Sequence, residues 1–135
     1  MQTTRITFTG EEIRTRLRLR MARGTTFKHR FELLDENGSP FDLTGASIVL
    51  AVKQTPDTDA FIIRKQIVDG GENDFAGGKF VMYIAPEDFE RVSAGWYVFG
   101  ISLALSAGTF ELSAGDLLTY EPIGSSPESN QRVIS

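Results

Sequence analysis

The sequence predicts an all-β fold, an antiparallel sandwich of seven or eight strands. Three observations carry that expectation. Apolar and polar residues alternate in several short runs, the period-two pattern of a strand with one buried face. Turn-forming pairs such as Arg23-Gly24, Asn37-Gly38, Gly70-Gly71 and Ala107-Gly108 separate those runs. Only residues 86–92 offer a helix, and that is a single turn. There Pro86 suits a first helical position, and Glu87 and Asp88 suit its positive end.

Residues 79–105 hold the centre of the fold. Phe80-Val81-Met82-Tyr83-Ile84 forms one strand, and Gly95 turns the chain into the next. In that second run Tyr97, Phe99, Ile101, Leu103 and Leu105 share one parity and make a heavy face. Trp96, Val98, Gly100, Ser102 and Ala104 make a light one. One heavy and one light face describe a central strand, and Trp96 at its head is expected to be partly buried.

The remaining elements follow in order. Residues 1–12 read as an extended arm, because Thr3, Thr4, Thr7 and Thr9 favour strand or coil and nothing caps a helix. Ile13, Leu17, Leu19 and Met21 then alternate with Arg14, Arg16, Arg18 and Arg20, a half-buried strand with an arginine ladder. Like charges on alternate positions repel unless something acidic answers them. The ladder therefore reads as a solvated edge that blocks aggregation, as a surface that docks on an acidic neighbouring subunit, or as a phosphate-binding face. Nucleic acid is the least favoured, since the rest of the chain is acidic and no aromatic platform is interleaved with the arginines.

Residues 25–34 form the next strand, with Phe27, Phe31 and Leu33 on one side and His29 among them. A lone histidine, without a second histidine or a cysteine, reads as a hydrogen-bonded structural residue. Asp35-Glu36-Asn37-Gly38 is a tight turn. It lacks the acidic spacing and terminal glutamate of a calcium loop. Residues 47–54 read as a strand buried on both faces, and residues 61–68 as an edge strand or bulge, because Arg64-Lys65 interrupts it. The glycine-rich loop that follows carries Asp69, Glu72 and Asp74 and has no phosphate-cradle lysine. Residues 109–113 and 117–121 read as the last two strands, separated by a turn at Ala114-Gly115-Asp116. Residues 123–135 read as a polar tail, which leaves 13–122 as the sandwich. Its strand count and spacing give it immunoglobulin-like (Ig-like) dimensions, although the cysteines of antibody domains are absent.

At 135 residues the chain is expected to be one domain, and with no cysteine it has neither disulfides nor thiolate metal sites. The net charge of −4 hides an asymmetry: residues 1–30 hold eight of the fourteen lysines and arginines but only Glu11 and Glu12 as acids. A basic segment on an acidic body suggests that copies meet one another. Nothing pairs His29 with a nucleophile, and the carboxylates sit mainly in turns, so no enzyme, cofactor or metal is expected. No apolar run approaches the ~20 residues that span a bilayer, and no signal peptide is read at the start. The expectation is a soluble protein that does not engage a membrane.

Certain residues also carry a family resemblance. They are Arg23-Gly24-Thr25-Thr26-Phe27, Phe31-Glu32-Leu33 and the run Asp35-Glu36-Asn37-Gly38-Ser39-Pro40-Phe41-Asp42-Leu43-Thr44-Gly45-Ala46. Gly78-Lys79-Phe80, Ile84-Ala85-Pro86-Glu87-Asp88 and Ala94-Gly95-Trp96-Tyr97 complete the set. Over residues 23–122 this resembles the N-terminal domain of tailed-phage baseplate upper proteins and related small phage structural proteins. The resemblance implies a β-sandwich built into a virion assembled in the host cytoplasm, in symmetric multimers that connect other virion proteins. The expected role is a non-catalytic assembly or adaptor module of the tail, baseplate or neck, and a homo-oligomer. Arg14, Arg16, Arg18 and Arg20 are its expected contacts, with Asp69, Glu72 and Asp74 as acidic receivers. The alternatives are a module that recognises a host-surface glycan or receptor, and a capsid decoration protein.

Overall fold

A computed structural model describes residues 1–9 and 15–121, which form eight strands and one short 3-10 turn. The strands are β1 (Gln2–Thr7), β2 (Thr15–Ala22), β3 (Phe27–Leu34), β4 (Ser47–Lys53), β5 (Ile63–Ile67), β6 (Lys79–Ile84), β7 (Gly95–Leu105) and β8 (Gly108–Tyr120). One sheet has the order β1-β3-β6 and the other the order β2-β8-β7-β4-β5. Only the β4–β5 and β7–β8 connections stay within a sheet; the other five cross to the opposite one. The result is the expected all-β, sandwich-like arrangement.

The core lies between the sheets. Tyr97, Phe99, Ile101 and Leu103, the heavy face of β7, are buried there with Ile48, Leu50 and Val52 of β4. Phe31 and Phe80 cover them from the smaller sheet, stacked with centroids 5.3 Å apart. Alternation put these residues on one face, and burial of that face is what holds the sheets together.

Four expectations are corrected. The sheets are mixed, not wholly antiparallel: β1 runs parallel to β3, and β2 runs parallel to β8. Alternation fixes which side of a strand is buried but says nothing of its neighbour's direction. Residues 2–7 are not an arm but strand β1. Ile6 and Phe8 are buried, and Phe8 packs edge-on against Phe41 and Phe110 at 5.0 and 5.2 Å. The turn expected at Ala114-Gly115-Asp116 is absent, because β8 runs unbroken past a bulge opposite Ile101 and Ser102. Gly115 sits where β2 presses closest. An added Cβ would overlap the Leu17 carbonyl oxygen and lie 2.9 Å from its carbon, so the glycine serves a strand contact rather than a turn. Residues 61–68 shorten to Ile63–Ile67, at the sheet edge as expected, with Lys65 turned inward to pair with Asp88. The expected tail at residues 123–135 lies outside the described residues.

The corner residues have plain structural jobs. The Arg23 guanidinium reaches from the β2–β3 turn to Glu121 at 2.6 Å and to the Phe89 carbonyl at 3.1 Å. Gly78 has φ +73°, and a Cβ there would lie 2.6 Å from the Leu33 carbonyl oxygen. Asp88 accepts the Ala85 N–H at 2.8 Å and steadies the 3-10 turn Pro86–Phe89.

His29 is buried, with Nε2 2.7 Å from the Thr4 hydroxyl, which ties β3 to β1. Burial pulls its pKa below the ordinary value of 6.5. Between that value and the lower folded one, the unfolded chain binds a proton that the folded chain refuses. Stability is therefore full above about pH 7 and falls as the pH drops through 6.5 and below. Urea midpoints should decline between pH 7.5 and 5.5, and the decline should flatten in His29→Gln. An equal decline in both proteins would show that another group is responsible.

Candidate functional site

The outward face of the larger sheet assembles by register. Arg16 pairs with Ala114, Ala114 with Gly100, Gly100 with Ala51, and Ala51 with Arg64. One row thus crosses all five strands, with an arginine at each end and small residues between. The next row runs Arg18, Asp116, Val98, Lys53, and the third runs Arg20, Leu118, Trp96. The small residues floor a shallow groove of about 480 Å³ that Arg16, Lys53, Phe61 and Glu111 help to line.

Aromatic rings and cations share this face. Phe61 lies under both Lys53 at 4.8 Å and Arg64 at 5.8 Å. The Arg18 guanidinium sits 5.6 Å from the Trp96 ring centroid, and Arg20 sits 5.4 Å from that of Tyr120. Such contacts hold long side chains extended over the sheet. Arg18 also meets Asp116, at 3.9 Å, but its side chain is 80% exposed, so the pair adds little stability and leaves the cation available.

The structure places the expected contact residues as follows. Arg16, Arg18 and Arg20 stand exposed on β2, an edge strand of the larger sheet. Arg14 lies outside the described residues. The acidic loop follows β5 at the opposite edge of that sheet, so within one copy it does not meet the ladder. Its carboxylates serve the loop itself: Asp69 accepts the N–H groups of Gly70 and Phe75 at 3.0 Å, and Asp74 accepts that of Gly77 at 3.2 Å. Glu72 pairs with Lys28 at 2.5 Å.

Trp96 corrects an expectation. It is 53% exposed, because the light face of β7 is the outer face. Lys53, Phe61 and Arg64 escaped the sequence reading as contact candidates. Their link to the arginine ladder runs through the registers of four neighbouring strand pairs, which no local pattern reveals. Among the described residues no three potential ligands converge on a metal site, and no helix is long and apolar enough to cross a membrane.

Fold and face together define a β-sandwich module that presents a cation-rimmed, partly aromatic sheet surface. No protein-family model matches the chain, and no curated protein matches it. Among solved structures it is similar to the N-terminal domain of phage TP901-1 ORF48, at 13% identity and a TM-score of 0.52. That match covers 90% of this chain and all of that domain, and the likeness is one of fold. An endo-beta-1,4-mannanase from Thermotoga petrophila aligns at 10% identity and a TM-score of 0.43, over 77% of this chain and 18% of the enzyme, and carries no argument.

Proposed function

We propose that the chain is a structural protein of a phage particle, a non-catalytic assembly or adaptor module that acts through protein–protein contacts in the virion. The observation that carries this is the likeness in fold to a phage protein domain, over 90% of this chain and all of that domain. The exposed cationic face supplies the contact surface, and an acidic neighbour supplies its complement. The non-catalytic reading is supported by His29, the sole histidine, which is buried against Thr4. An immunoglobulin-like description is supported by the strand order, with β3 and β6 facing β5, β4, β7 and β8. Placement in the tail, baseplate, neck or capsid surface follows the virion reading.

The test is incorporation into particles. Tagged wild-type chain should co-sediment with purified particles of the phage that encodes it. Arg16→Glu with Arg18→Glu should fold, judged by an unchanged circular dichroism spectrum, yet lose at least about tenfold of that incorporation, because a reversed charge meets a like one. Normal incorporation of the variant would mean that the ladder is merely solvated.

A second reading rests on Trp96. An exposed tryptophan on a sheet face suits a sugar ring, which makes a host-surface glycan the alternative ligand. The Arg18 guanidinium beside that ring disfavours it, since a sugar would have to displace the cation. A glycan array probed with wild type and Trp96→Ala separates the two.

A further inference from the structure

We propose that the outer face of the larger sheet receives the acidic loop end of a second copy of this chain, so that copies associate end to face. The inference rests on the assembly reading above and names its partner. Its basis is that fold geometry sorts the charges. Among the described residues ten of the twelve lysines and arginines lie in strands, the exceptions being Arg23 and Arg91. Twelve of the fifteen acids lie outside strands, the exceptions being Glu32, Glu111 and Asp116. The sandwich therefore has basic faces and acidic ends.

One end is the better match. The β3–β4 and β5–β6 connections meet there, because β3 is antiparallel to β6 and β4 to β5. The Leu43 N–H joins them, donating to the Phe75 carbonyl at 2.7 Å. These two loops hold Asp35, Glu36, Asp42, Asp69, Glu72 and Asp74, and no lysine or arginine. Backbone N–H groups pin several of these carboxylates: Asp35 takes those of Asn37 and Ser39, and Asp42 takes that of Thr44, at 2.9–3.0 Å. The negative charge is thus held in fixed positions. The opposite end is acidic too, but Arg23 and Arg91 lie among its acids, and Arg23 and Lys65 already answer Glu121 and Asp88; at the favoured end Lys28 answers Glu72, which leaves Asp35, Glu36, Asp42, Asp69 and Asp74 as its charge.

The receiving face presents Arg16, Arg18, Arg20, Lys53 and Arg64 against two acids, Glu111 and Asp116. Five strands spaced ~4.8 Å apart, and five residues at ~3.3 Å each from Arg16 to Arg20, give a footprint of roughly 400 Å² before side-chain relief. That is about half the ~800 Å² per partner of a standard interface, the size of a weak contact that salt can disperse. Because an end meets a face, the contact is heterologous. Every copy keeps one free end and one free face, so association continues into a ring or a filament instead of stopping at a two-fold dimer.

Two complementary variants of the full chain test this. Lys53→Glu with Arg64→Glu spoils the face and leaves the end intact. Glu36→Lys with Asp42→Asn spoils the end and leaves the face intact, the asparagine keeping the oxygen that accepts the Thr44 N–H. Light scattering at low ionic strength should show wild type associating and each variant alone monomeric, its self-association weakened by more than about tenfold. An equimolar mixture should give a heterodimer and nothing larger, because only one competent end–face pair remains. A mixture that stays monomeric, a variant that still self-associates alone, or a wild type that is monomeric at every salt concentration would overturn the proposal. Should a double variant misfold, Arg64→Glu and Glu36→Lys, at exposed positions, give the same readout with a smaller shift. Particle incorporation is scored separately, so end-to-face association can fail while the virion reading stands.

Discussion

Replacing Phe80 by alanine should destabilise the fold by about 3–5 kcal/mol. The ring is fully buried and stacks on Phe31, its direct cross-strand partner, at an interplanar angle of 15°. The loss combines two terms: the transfer of the ring's apolar surface, and a cavity that the surrounding strands refill only in part. Phe80 belongs to the three-stranded sheet, where it packs into the core beside the fully buried Phe31, Leu33, Met82 and Ile84. The loss should therefore loosen that whole sheet. Urea unfolding measures it, with Tyr83→Ala as the control on the same strand. Tyr83 is 43% exposed, and its truncation should cost under about 1 kcal/mol. Equal losses in the two variants would mean that the smaller sheet does not cover the core as described.

Gly115→Ala should cost about 3 kcal/mol through a different mechanism. The new methyl group would press on the Leu17 main chain, with the amide nitrogen and the carbonyl carbon both 2.9 Å away. A strand backbone cannot rotate aside as a side chain can. The expected outcome is that β2 peels from β8 and exposes Leu19 and Met21, while β3 to β7 keep their places. Hydrogen exchange should then accelerate at the amides of β2 and little elsewhere. Because Arg16, Arg18 and Arg20 ride on β2, assembly should weaken with it. Gly100→Ala is the contrast: there an added methyl meets its nearest atom, Glu111 Oε1, at an ordinary 3.6 Å, so stability should hardly change. Equal exchange rates in wild type and Gly115→Ala would show that the strand contact tolerates the methyl.

The two glycines also show what the sequence could and could not disclose. The heavy face of β7 was legible because a strand's period is two and five large residues kept to it. The β7–β8 hairpin was legible because Ala107-Gly108 is a local signal. Gly115 read as a turn because its local neighbours resemble one. Its real partner, Leu17, is far away along the chain. The same limit hid the parallel pairs: Thr15 sits opposite Ser113, and no short segment encodes that meeting. At the candidate face the arginine ladder was plain from alternation. Parity alone could not say whether the light face of β7 looked inward or outward, so Trp96 was misplaced. Lys53 and Arg64 joined the ladder only when the register carried the row across the sheet. The acids of residues 69–74 stood out as charges, while their service to the loop's own N–H groups depended on backbone geometry that composition does not carry.

The central claim is that assembly covers the outer face of the larger sheet, and Trp96 reports on it directly. It is the chain's only tryptophan and stands half-exposed on that face. Its fluorescence should be recorded in the dispersed chain at high salt and in the assembled form, with acrylamide as quencher. If the face is covered, emission shifts to shorter wavelength on assembly and the quenching constant falls severalfold. Assembly with unchanged emission and undiminished quenching would contradict the claim and move the contact to another surface.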